Sequence, residues 1–106
     1  MPKYLWEVTY TLEGVQGVMK EGGSGRRDMV EQLVAKAGGT LEAFYFTFGG
    51  SDAVVIAELP DDATAAAVSL TVGASGAASL ETTVLLTPEQ IDQAKDRTIA
   101  YRPPGA

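Results

Sequence analysis

The chain opens on strict alternation. From Lys3 to Tyr10, Tyr4, Trp6, Val8 and Tyr10 fall on one parity and Leu5, Glu7 and Thr9 on the other, the period of a strand rich in aromatic and β-branched residues. The period then changes. Leu12 to Lys20 suits a short helical piece, which Gly22-Gly23-Ser24-Gly25 must break or bend, because glycine forfeits backbone entropy in a helix. A helix restarting near Ser24 carries Met29, Val30, Leu33, Val34 and Ala37 at helical steps, and Gly38-Gly39 stops it. The first helix therefore has two parts.

Leu41 to Phe48 predicts a second strand, with Phe44, Phe46 and Phe48 on one face and Leu41, Ala43 and Tyr45 on the other. The Gly49 to Asp52 cluster joins it to a third strand, Ala53 to Leu59, as an antiparallel hairpin. Asp61 is placed to N-cap an alanine-rich helix over Ala63 to Val72, with Asp62 near the positive end of its dipole. Such a helix approaches its partner closely but buries little area per residue. Leu80 to Leu86 alternates again as a fourth strand. Thr87-Pro88-Glu89-Gln90 then starts a short helix to about Arg97, with Thr as cap, Pro at the first turn and Gln closing a capping box. Thr98 to Ala106, with Pro103-Pro104-Gly105, is expected to lie extended across the surface.

The order β-α-β-β-α-β plus one short helix is the α+β split βαβ arrangement of the ferredoxin-like fold, in a single domain over residues 1–106. Right-handed crossovers then give a four-stranded antiparallel sheet with strands one and three central and both long helices on one face. Yet Tyr4, Trp6, Phe44, Tyr45, Phe46, Val54, Val55 and Ile56 load both faces with apolar bulk. A lone copy would expose a contiguous patch larger than soluble monomers tolerate. The expected remedy is a homodimer or higher homo-oligomer, sheet against sheet around a two-fold axis; the competing remedy folds the C-terminal helix and tail back over that face.

Composition narrows the chemistry. Fourteen acidic against eight basic residues give a net charge of -6, which repels a phosphate backbone, so no nucleic acid is expected. With no cysteine and no histidine, thiolate and imidazole catalysis and nearly every zinc site are removed. No metal and no cofactor is expected: acidic residues lack the spacing of a calcium or magnesium loop, and Thr11-Leu12-Glu13-Gly14 is no dinucleotide signature. Apolar runs such as Ala53 to Ala57 are far too short to cross a bilayer, and the start of the chain lacks the shape of a signal peptide. No membrane role is expected, and the location expected is cytoplasmic.

The remaining candidates are few. Ser24, Arg26 and Arg27, at the glycine-rich helix start, suit an anion such as phosphate or carboxylate, or else the glycines only bend the helix. Asp52 either caps the hairpin turn or binds a ligand. Glu7 and Glu58 are strand carboxylates that burial would make a general acid or base, although strand glutamates commonly sit at an edge or pair with a cation. Tyr101 and Arg102 in the tail either close over a cleft or seal an interface.

Gly22-Gly23-Ser24 with Arg26-Arg27, then Leu41 to Phe46 leading through Gly49 to Asp52 into Val54-Val55-Ile56, resembles the GYD domain proteins, as do Thr83 to Glu89 and Tyr101 to Gly105. The resemblance covers essentially the whole chain. It departs at the signature itself, where Gly50-Ser51-Asp52 carries serine in place of tyrosine, so no role of that phenol carries over. The resemblance implies a ferredoxin-like domain akin to the dimeric α/β-barrel proteins, in a family without an established biochemical activity. Two readings follow: a self-associating binding or assembly module taking a small apolar or anionic ligand, or a small-molecule enzyme using a carboxylate with Tyr or Arg in a cleft between sheet and helices.

Overall fold

A computed structural model of residues 1–106 resolves these changes of period into eight elements. They are β1 (Lys3–Tyr10), α1 (Leu12–Glu21), α2 (Gly23–Lys36), β2 (Thr40–Phe46), β3 (Ala53–Glu58), α3 (Asp62–Ala74), β4 (Ala78–Leu85) and α4 (Pro88–Lys95). The strands form one sheet in the order β2-β3-β1-β4, with every neighbouring pair antiparallel. Strands one and three are central, as the ferredoxin-like arrangement requires.

Local chemistry sets the element ends. Thr11 caps α1 by accepting from the Gly14 amide at 3.1 Å, while its hydroxyl donates to the Gly76 carbonyl at 2.8 Å. Gly22, with φ of 84°, ends α1 and begins α2, a left-handed conformation that an L side chain would strain. At Gly14 the demand is for space: a Cβ there would lie 2.0 Å from the Ala77 carbonyl oxygen, so only glycine lets α1 lie against the start of β4. Asp61 caps α3, accepting from the Thr64 hydroxyl at 2.7 Å and amide at 2.8 Å. Those hydrogen bonds, the hydroxyl's foremost, hold its carboxyl below the ordinary aspartate value. The Thr87 and Gln90 capping box starts α4.

The helices cover one sheet face only. Its core takes Tyr4, Trp6 and Val8 from β1 and Ala53, Val55 and Ala57 from β3, closed by Val34 of α2 and Ala65 and Val68 of α3. The other parity, including Leu5, Glu7, Val54 and Ile56, lies on the opposite face, where no helix packs. Only 12 of the 106 residues are buried, a thin core for this length.

Three sequence expectations change. The second strand stops at Phe46, because Thr47 turns to donate to the Asp52 carbonyl at 2.9 Å; Phe48 is left on the hairpin loop, fully exposed. A register shift between Leu41 and Ala43 breaks the parity of β2. An extra residue in one strand displaces every later side chain to the other face, so Leu41 and Phe44 both pack against the core. Glu42, freed by the shift, takes the Lys3 ammonium at 2.9 Å. Finally, the C-terminal segment does not pack across the surface: every residue from 88 to 106 is exposed. With Ile91 and Ala94 as its only apolar side chains after the first proline, α4 has too little area to repay docking. The radius of gyration, 16.9 Å, exceeds the ~13 Å of a compact domain of this size accordingly.

Tyr4 ties the two layers together. Its hydroxyl, at the end of a fully buried ring, donates to Asp62 Oδ1 at 2.5 Å. Burial, reinforced by the adjacent carboxylate, pushes the phenol up to about 12. The folded form thus holds its proton after the unfolded chain, near pH 10, has begun to release it. The stability from this group is complete below pH 10 and is lost as pH climbs toward 12. Urea midpoints taken from pH 8 to pH 11.5 should fall more steeply for the parent protein than for Tyr4→Phe; parallel curves would show that the phenol is not held neutral by the fold.

Candidate functional site

Between the sheet and its helices lies a cleft of about 40 Å³, and eleven of its twelve lining residues are hydrophobic. The exception is Arg26. Trp6 and Val8 form the floor, Val30 and Leu33 of α2 one wall, and Val68 and Val72 of α3 the other. Two donors inside this apolar surround have no partner: the indole Nε1 of Trp6 and the Nε of Arg26 are both buried and unbonded. Leaving a buried donor unmade costs about 1–3 kcal/mol, more where charge is involved. Tyr10 and Arg26 also line a second, more polar hollow of about 150 Å³ that includes Glu13 and Glu21. These two side chains are thus the wall shared by an inner apolar chamber and an outer one.

The glycine-rich helix start explains how Arg26 comes to be there. Gly23 lies so close to Phe46 that a Cβ would sit 3.1 Å from its ring, which draws the first turn of α2 onto β2. One residue later the helix has rotated outward, and Arg27 is solvent-facing, 3.4 Å from Asp28. Arg26 takes part in none of the ion pairs. The structure therefore separates the two arginines, and Ser24 is exposed away from the cleft.

Asp52 serves the hairpin. Its Oδ2 accepts from the Tyr10 amide at 2.9 Å, and its own amide donates to the Val8 carbonyl at 2.8 Å. It continues the pairing with β1 ahead of the first residue of β3. The neighbouring Ser51 faces a polar hollow of about 170 Å³ on the open side of the sheet, with Glu7, Thr9, Ser79 and Glu81. Glu7 and Glu81 are direct cross-strand partners, a like-charged pairing that destabilises a sheet.

The other candidates stay apart. Glu58 is on the open face, 3.8 Å from Lys3. Lys3 has its own pKa raised, chiefly by its hydrogen bond to Glu42. Tyr101 is 77% exposed, and Arg102 donates to the carbonyl of Ala106 at 2.9 Å. None of Glu7, Glu58 and Tyr101 lines the apolar cleft. No group of three or more His, Cys, Asp or Glu side chains is placed to hold a metal ion, and no helix is long and apolar enough to cross a membrane.

Sequence reasoning found Arg26 but not its direction, and it read Trp6 only as packing. A tryptophan between Tyr4 and Val8 on the inward face of a strand gives no sign of whether its N–H finds an acceptor; that depends on what the helices bring above it. The family model for the GYD domain matches residues 4–94. No curated protein and no solved structure gives a significant match to the chain.

Asp52→Ala should lower the unfolding free energy by about 1.5–3 kcal/mol, the usual worth of a hydrogen bond to a charged group, with Asp52→Asn recovering part of it. Chemical denaturation measures this, and an alanine variant as stable as the parent would remove the structural role.

Proposed function

The chain belongs to the GYD domain family, and from that premise we propose that it is a small cytoplasmic, self-associating domain with a binding role, two copies meeting sheet to sheet. The open sheet face carries this reading. Leu5 stands beside Ile56, Ile56 beside Ala43, and Val54 beside Tyr45, an apolar block spanning the central strands and one edge. Tyr45 is 70% exposed in the single copy. Three strands at ~4.8 Å spacing and about four residues at ~3.4 Å rise project roughly 200 Å² for this block, on a face where no helix packs.

A two-fold axis through this face would bury the block against itself. The free C-terminal segment leaves the face open to a second copy, so the competing remedy, coverage by the chain's own tail, has no support. The enzyme reading needs a carboxylate in the cleft. There the only ionisable side chains are Tyr10 and Arg26, an arrangement suited to holding a ligand rather than to moving its proton.

In native mass spectrometry and sedimentation equilibrium the protein should have twice its 11.1 kDa chain mass or a higher multiple. Ile56→Lys, placed on the open face, should give a monomer with an unchanged circular-dichroism spectrum. A parent protein that stays at the single-chain mass at micromolar concentration would overturn self-association.

A further inference from the structure

We propose that the cleft between the sheet and α2 and α3 is a binding site for a very small monocarboxylate, of the size of formate or acetate, held by Arg26 and the indole N–H of Trp6. The proposal rests on the binding role just stated, but not on self-association, because the cleft is on the helix side of the sheet and the dimer face is on the other. Two independent observations meet at one place. The chain has a cavity whose walls are apolar except at Arg26 and the phenol of Tyr10. It also leaves two donors buried and unpaired there, one on a side chain only 2% exposed.

Water is the first rival occupant. A cavity of about 40 Å³ has room for one to three molecules. A buried water, however, needs acceptors for its own hydrogens as well as donors for its lone pairs, and the lining side chains set the donors of Trp6 and Arg26 against a single possible acceptor, the Tyr10 hydroxyl. An oxygen that only accepts satisfies both N–H groups and needs nothing in return. Arginine adds charge: Arg26 is in no ion pair and its Nε is buried without a partner, and Nε with a terminal nitrogen presents a fork that fits the two oxygens of a carboxylate.

The surroundings narrow the ligand further. Val30, Leu33, Val68 and Val72 leave the rest of the chamber to hydrocarbon. Glu13 and Glu21 line the outer hollow beyond Arg26 and repel a second negative group there. The ligand is thus a monoanion with its carboxylate at Arg26 and no more than a methyl-sized apolar part inward, because about 40 Å³ is far below the ~150 Å³ that accommodates a six-carbon ring.

Trp6 is the only tryptophan, so a single indole N–H signal in a proton–nitrogen correlation spectrum reports on the site. Titration with acetate should move that signal saturably, whereas the neutral isostere acetamide should bind at least about tenfold more weakly. Arg26→Leu, which keeps the apolar stem, should lose binding by a similar factor or more. Arg26→Lys, which keeps charge without the fork, should fall between and supplies the reading if the leucine variant does not fold. The Ile56→Lys variant should bind like the parent, which separates this site from the self-association reading. An indole signal unmoved by acetate on the order of 10 mM, equal binding of the amide, undiminished binding by both Arg26 variants, or a long-lived water on the indole that acetate does not displace would each overturn the proposal.

Discussion

A four-stranded sheet has two faces, and this chain supplies helices for one. Every other feature of the molecule follows from which residues fall on which side. Strict alternation in β1 sends Tyr4, Trp6 and Val8 under α2 and α3 and leaves Leu5 and Glu7 outside, since successive side chains in a strand point to opposite faces. The alanine-rich α3 adds little burial, and with 12 of 106 residues buried the single copy is near the lower limit of what a core of this kind stabilises. Covering the second face would add Leu5, Val54 and Ile56 to the apolar area removed from water without any change in fold.

Most of the element order was legible because its signals are local. The break at Gly22, the stop at Gly38-Gly39, the cap at Asp61 and the capping box at Thr87 and Gln90 each depend on a few adjacent residues. What was not legible depends on a partner distant in sequence. The shift at Glu42 is fixed by the register of β3, and alternation within β2 alone points Leu41 the wrong way. Phe48 looks like a third aromatic of the strand, yet pairing ends two residues earlier. The free C-terminal segment could not be read either, because docking is a balance of area against ordering entropy, not a pattern along the chain.

The candidate site divides along the same line. Asp52 was legible as a turn residue because an aspartate beside glycines caps backbone amides wherever it sits. Arg26 and Arg27 were legible as cations at a helix start, but the helical rotation that turns one inward and the other out is set by the contact of Gly23 with Phe46. Trp6 was the hardest. Its burial follows from alternation, whereas the lack of an acceptor for its N–H follows from α2 and α3 presenting Val, Leu and one arginine above it. A domain whose net stability is on the order of 5–15 kcal/mol gives up a noticeable fraction of it by leaving two such donors unpaired.

That cost bears on how the two surfaces relate. Trp6 and its neighbours Leu5 and Glu7 are consecutive in β1, so the floor of the cleft and the centre of the open face are the two sides of one strand. A change on the even parity alters the cleft and the core together, as Tyr4 shows by bonding Asp62 while packing under α3. A change on the odd parity alters only the open face. The pleat therefore gives each surface its own set of residues, and the rigidity of a central strand paired on both edges keeps a substitution on one side from being felt as a rearrangement on the other.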